Sequence, residues 1–192
     1  MQNTKLIRRC LVLTFCWFLL AAPAMAQDAG SQETYDQDEV LAAAESFFGE
    51  GAEGLAKVVE KIFAEQGRPN GTIAGEEISG AVGVGLRYGK GTLRMKAGAE
   101  RQVFWTGPSI GFDAGGNASK VFVLVYRLDR VENLFQRFPG VDGSAYWIGG
   151  VGANYQRSGD IVLAPIRLGV GLRFGANIGY MNYTRKRTWN PF

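Results

Sequence analysis

The spacing of apolar residues takes three successive characters along the chain. Leu11 to Leu20 is an apolar run with no polar alternation. From Asp36 the spacing becomes helical. Val40, Leu41, Ala44, Phe47 and Phe48 fall on one stripe, and Asp36 with Glu39 three residues on has the form of a capping box. A second stripe follows over 52–66, where Leu55, Val58, Val59, Ile62 and Phe63 stand at i, i+3, i+4, i+7 and i+8. Glycines at 49, 51 and 67 punctuate these two predicted helices.

From Thr72 the period drops to two, and short apolar runs alternate with turn residues, as in all-β folds. Strands are predicted at 72–79, 82–88, 92–96, 101–106, 109–112, 120–126, 144–148, 151–157, 161–164, 167–174 and 178–184, of which nine or ten should survive. Tyr88 to Thr92 and Gly175 to Asn177 are predicted hairpin connections. One inserted helix is expected after Asp129, from the pair Asp129 and Glu132 and the stripe Val131, Leu134, Phe135 and Phe138. The predicted fold is mainly β (α+β): a small, soluble, closed β-barrel at 72–192, preceded by a helical arm at 36–71 packed against it. Val121 to Tyr126 is apolar on both faces of a strand, which calls for helices outside the barrel.

The run near the N-terminus is read as an export signal. Lys5, Arg8 and Arg9 form a positive n-region, Leu11 to Leu20 the apolar segment, and Ala24-Met25-Ala26 a small-x-small cleavage site. Residues 1–26 are thus expected to be cleaved and 27–35 to be a disordered acidic lead-in. The rival reading is an uncleaved anchor, since Cys10 to Ala26 carries no charge; Pro23 and the Ala-x-Ala exit argue against it. Arg8-Arg9 leaves both the general and the twin-arginine export routes open.

Cleavage changes the chemistry. The chain has 192 residues, two cysteines and no histidine, and both Cys10 and Cys16 lie in the leader. The remainder can form no disulfide, no thiol nucleophile, no Ser-His-Asp triad and no zinc site of ordinary ligands. It carries eighteen basic and eighteen acidic residues, so the formal charge of +3 belongs to the leader and gives no reason to expect a nucleic-acid partner. The balance is uneven, at −8 over 27–66 and +8 over 67–192. An acidic arm docked on a basic body and a basic body that binds an anionic surface both fit this asymmetry.

An internal echo stands out within the strands. Gly83-Val84-Gly85-Leu86-Arg87-Tyr88-Gly89 recurs as Gly169-Val170-Gly171-Leu172-Arg173-Phe174-Gly175. Its glycine spacing is not that of a dinucleotide-binding turn. Either the glycines relieve crowding where strands coil, or they clear backbone around Arg87 and Arg173 for an anionic head group. The candidate ligand-binding residues are Arg87, Tyr88, Lys90, Arg94, Trp105 and Arg173. No catalytic residue, metal site or cofactor is expected: Glu76 and Glu77 are strand neighbours on opposite faces, Asp113 lies outside any known calcium-loop spacing, and Ser119 and Lys120 are adjacent.

Longer stretches carry a family resemblance. Residues 35–40 (YDQDEV), 85–91 (GLRYGKG), 105–113 (WTGPSIGFD), 155–165 (YQRSGDIVLAP) and the terminal WNPF resemble the family of small Gram-negative periplasmic proteins named for envelope integrity. The resemblance implies a periplasmic β-barrel with helical additions, a role in resisting envelope stress and no assigned catalytic residues. Over about 80–135 the chain is also similar, more loosely, to the SYLF lipid-binding domain, which implies phospholipid binding. The expected function is therefore non-enzymatic support of the envelope by binding a phospholipid or another anionic envelope component. The alternatives are a scaffold for envelope or cell-wall proteins and an integral outer-membrane barrel, whose spanning strands of about 9–11 residues exceed several predicted here.

Overall fold

The computed structural model describes residues 33–49, 54–113, 118–168 and 179–188. The leader, Arg173 and its glycine repeat, the 175–177 turn and the terminal WNPF lie outside the described residues. Helix α1 spans Gln37–Phe48 and α2 spans Leu55–Gln66. The capping box of α1 is formed: Asp36 Oδ1 accepts from the Glu39 N–H at 2.8 Å, and Glu39 Oε2 accepts from the Asp36 N–H at 3.0 Å. The helices end at Gly49 and Gly67, whose φ values of +99° and +78° suit glycine.

Nine strands follow among the described residues: β1 Gly71–Met95, β2 Glu100–Asp113, β3 Ser119–Tyr126, β4 Arg137–Pro139, β5 Tyr146–Ile148, β6 Val151–Ala153, β7 Gln156–Ser158, β8 Ile161–Leu168 and β9 Tyr180–Thr184. They make one antiparallel sheet in the order β4-β9-β2-β1-β3-β8-β6-β5, with β7 also paired to β8. The sheet curls into a half-barrel. β4 and β7 are joined by the Gly140–Gln156 bridge and a 2.9 Å hydrogen bond from the Val141 N–H to the Tyr155 carbonyl, not by a ladder. The closed barrel expected from the sequence is thus found as a curled sheet.

Two apolar cores lie on the two faces of this sheet. Inside the curl, Ile73, Leu93, Val103, Val121, Val123, Val125, Leu163 and Phe138 pack together. On the outer face, Phe122, Leu124, Tyr126, Val162, Ala164 and Ile166 pack under Val40, Ala44, Leu55, Val58, Val59 and Ile62 of the helices. β3 is buried on both faces, because its odd residues feed one core and its even residues the other.

Two local expectations fail for identifiable reasons. Tyr88 to Thr92 is not a hairpin turn but runs within β1, and the chain turns instead at 96–99, where Gly98 has φ +91°. The glycines at 89 and 91 serve close approach. A Cβ on Gly89 would lie 2.0 Å from the Trp105 ring, and one on Gly91 2.7 Å from the Ala74 carbonyl oxygen. The inserted helix is a single 3-10 turn, Val131–Leu134, after which Phe138 enters the core from strand β4. A short apolar run bounded by Pro139 satisfies a helical stripe and a strand equally, and here pairing with β9 decides.

β1 doubles back until its ends meet, with the Lys96 N–H donating to the Asn70 carbonyl at 3.0 Å. A Cβ on Gly75 would stand 2.3 Å from the Lys90 carbonyl oxygen and 2.8 Å from Gly91 Cα, contacts that only backbone movement could relieve. Gly75→Ala is therefore expected to cost about 1–3 kcal/mol, as overpacking does. Urea denaturation of the variant beside the parent protein checks this, and an unchanged midpoint would contradict the close approach.

Candidate functional site

Strand alternation and register sort the sequence-selected residues onto two faces. On β1, Arg87 and Gly89 turn inward, and the Gly89–Trp105–Tyr183 row runs across β1, β2 and β9. Lys90, Phe104 and Thr184 form the adjacent row on the opposite face, with Tyr88 two residues from Lys90 on the same strand.

Inside the curl a buried carboxylate organises the polar groups. Glu77 is 2% exposed. Arg167 meets it bidentately, with Nε 3.2 Å from Oε1 and an Nη 3.3 Å from Oε2. Arg87 Nε stands 3.2 Å from Oε1, and Trp105 Nε1–H donates to Oε2 at 2.9 Å. Arg167 also donates to Asn154 Oδ1 at 3.2 Å, and the Tyr183 hydroxyl to Gln156 Oε1 at 3.4 Å. Burial alone would push the Glu77 carboxyl up, but the charges of Arg167 and Arg87, with the hydrogen bonds from Arg167 and Trp105, hold it below the usual carboxylate range. Burial raises the Tyr183 phenol well above its ordinary value.

The glycine-cleared face bearing Arg87 is thus turned inward, where its guanidinium balances Glu77 and is 8% exposed, in place of the open anion-binding surface expected of it. The physical reason is the coil of β1, which brings Glu77 opposite Arg87. Arg94 lies on the surface and pairs with Glu100 at 3.3 Å. Arg173 lies outside the described residues.

Tyr88, Lys90 and Trp105 come together. They line a partly open groove of about 280 Å³ with Glu76, Ile78, Gly89, Phe104, Ala118, Thr184, Arg187 and Thr188. Ile78 is 51% exposed. Lys90 is exposed and forms no ion pair among the described residues, while Glu76 supplies the opposite charge. The groove can therefore take an apolar group along Ile78, Tyr88 and Phe104 and an anionic one at Lys90 and Arg187. Trp105 belongs both to its wall and to the Glu77 cluster.

Sequence reasoning missed Glu77, Arg167, Ile78, Phe104 and Arg187. The signal for Glu77 was its parity with Ile73 and Gly75 on an inward face; Arg167 needed knowledge of which strands face each other. Among the described residues, no group of three or more acidic side chains is placed to hold a metal ion.

Glu77 makes a pH prediction. Its folded pKa lies below the unfolded value of about 4.3, so it contributes stability that is fully present above that value and lost as pH falls through the folded one. Thermal unfolding from pH 7 down to 3 should show Tm falling most steeply below about pH 4.3. Glu77→Gln should flatten that segment and cost about 3–5 kcal/mol at neutral pH, because it leaves two guanidiniums without their carboxylate.

Comparison with known proteins agrees with this architecture. A family model described as envelope integrity protein A matches residues 33–192. A crystal structure described as a beta-barrel-like, uncharacterized protein from Brucella abortus is similar at 51% sequence identity and a TM-score of 0.76, covering 83% of this chain and 99% of that one. No curated protein matches the chain. Among the described residues no helix is long and apolar enough to cross a membrane. The match spans both helices and every described strand, and on that ground the chain belongs to the envelope integrity protein A family, whose name ties it to the integrity of the cell envelope.

Proposed function

We propose that the protein supports the envelope non-enzymatically, from the periplasm, by holding an anionic amphiphile such as a phospholipid in the groove beside Trp105. The observation that carries this reading is the meeting of apolar Ile78, Tyr88 and Phe104 with cationic Lys90 and Arg187 in one partly open space. Small-molecule sites have this make-up, a mostly apolar lining with a few convergent polar groups. The periplasmic location rests on the leader features of residues 1–26.

The absence of catalysis is part of the proposal. The chain has no histidine, and the buried carboxylate of Glu77 is held ionised between two arginines, unsuited to proton exchange near neutral pH. The outer-membrane reading has less support, because the outward apolar residues of β3 and β8 lie beneath α1 and α2. A protein scaffold remains the outcome to which a failed lipid experiment would point.

Organic extracts of protein released from the periplasm without detergent should contain phospholipid at near one per chain by mass spectrometry, above a blank purification. Calorimetric titration with a short-chain anionic phospholipid below its micelle concentration should saturate, and Lys90→Glu should weaken it about tenfold, equal to about 1.4 kcal/mol. An empty extract with no heat of binding would overturn the proposal.

A further inference from the structure

A second surface draws together cations that play no part in the groove's apolar contacts. Arg137 lies on β4, Arg157 on β7, and Arg185 and Lys186 directly follow β9. Pairing gathers them. Arg137 is in register with Asn182 of β9, the Tyr183 N–H donates to the Gln136 carbonyl at 3.0 Å, and Ser158 Oγ donates to Gln136 Oε1 at 3.0 Å, so three strands meet around residue 136. All four cations are exposed, and among the described residues none of them forms an ion pair. Lys61, Arg87, Arg94, Lys96 and Arg167 are each matched to a carboxylate, while among the described residues Lys57, Arg68, Lys90, Arg101, Lys120, Arg127 and Arg130 are exposed without an ion pair as well, so it is the gathering of the four by strand pairing, and not their lack of partners, that sets them apart.

Two of these guanidiniums are held in orientation. Arg137 stacks on the Tyr180 ring and Arg185 on the Phe135 ring, each with Cζ 4.9 Å from the ring centroid. A guanidinium with one face on an aromatic keeps its N–H edge for bidentate contact with phosphate, and less freedom is lost when that contact forms. The carboxylates of the helices, Asp38, Glu39, Glu45, Glu60 and Glu65 among them, belong to elements packed over β3, β8 and β6, away from β4 and β9 in the strand order. Acidic residues near the strip along the chain include Asp129 and Glu132 before β4 and Asp160 after β7. Arg187 continues the strip to the mouth of the groove, beside the exposed Ile78.

We infer that Arg137, Arg157, Arg185 and Lys186 seat the protein on an anionic bilayer surface, with the groove at the margin of the seated face. Several cations spread over three strands fit an extended array of phosphate head groups. This inference does not rest on the groove being filled.

Cosedimentation with vesicles tests it. The full protein should sediment with phosphatidylglycerol in phosphatidylcholine and not with phosphatidylcholine alone, and the binding should fade as salt rises from about 0.05 to 0.5 M, because screening shortens the reach of surface charge. The triple variant R137E/R157E/R185E should lose at least tenfold in vesicle affinity while its short-chain lipid titration stays unchanged. K186E alone, which touches no stacked ring, should weaken vesicle binding in the same direction. Equal binding to both vesicle types, salt-independent binding, no binding by the parent protein, or full binding by the charge-reversed variants would each overturn the inference. Docking with an empty groove would overturn only the amphiphile reading, and a filled groove without docking only this one.

Discussion

Alternate side chains of β3 enter two separate apolar cores, Val121, Val123 and Val125 on one side of the sheet and Phe122, Leu124 and Tyr126 on the other. A strand apolar on both faces cannot lie at a wetted surface, so something must cover its outer side. The amphipathic stripes of α1 and α2 meet that need, and their cover extends over β8 and β6. The sheet is thereby divided. One stretch is sandwiched between curl and helices, and in the other, β2, β9, β4 and the part of β1 beyond Ala74, no described outer side chain belongs to the helix-covered core. The groove lies on this second stretch with Arg137, Arg185 and Lys186, whereas Arg157 sits on β7 beside the helix-covered β8.

A second constraint is electrostatic. Burying Glu77 would be prohibitive without compensation, and two guanidiniums with an indole N–H provide it. The compensating groups come from distant parts of the chain, Arg87 from the far part of β1, Trp105 from β2 and Arg167 from β8. Removing the carboxylate would leave the buried Arg87 and the half-buried Arg167 without their counter-charge. Trp105 belongs to both this cluster and the groove, its Nε1–H on Glu77 and its ring in the groove wall.

Much of this was legible in the residues. Helical stripes, the Asp36–Glu39 box and the two-faced run at 121–126 each report a local rule of burial or capping, and the structure follows them. Tyr88, Lys90 and Trp105 could be selected because aromatic and cationic residues near glycines stand out in a strand. The destination of Arg87 could not be read, because alternation assigns a residue to a face without saying whether that face is wet. The glycines at 89 and 91 misled for a related reason: a glycine that avoids a ring and one that makes a turn look alike until the opposite strand is known. The segment around Leu134 and Phe138 was ambiguous because its apolar spacing fits either regular structure, and the choice came from β9, some forty residues later.

β9 is the last described strand, yet it lies within the sheet, paired on one side with β2 and on the other with β4. Its position bears on how the protein comes to be folded. A chain emerging from its N-terminus can form the helices and join β1 to β2 and β3, but residues 104–106 of β2 lack their β9 partner, and β4 has no ladder, until β9 arrives. Open edges of this kind recruit strands from other molecules. A chain truncated ahead of residue 180 would leave those edges without their partner and open to pairing with other molecules.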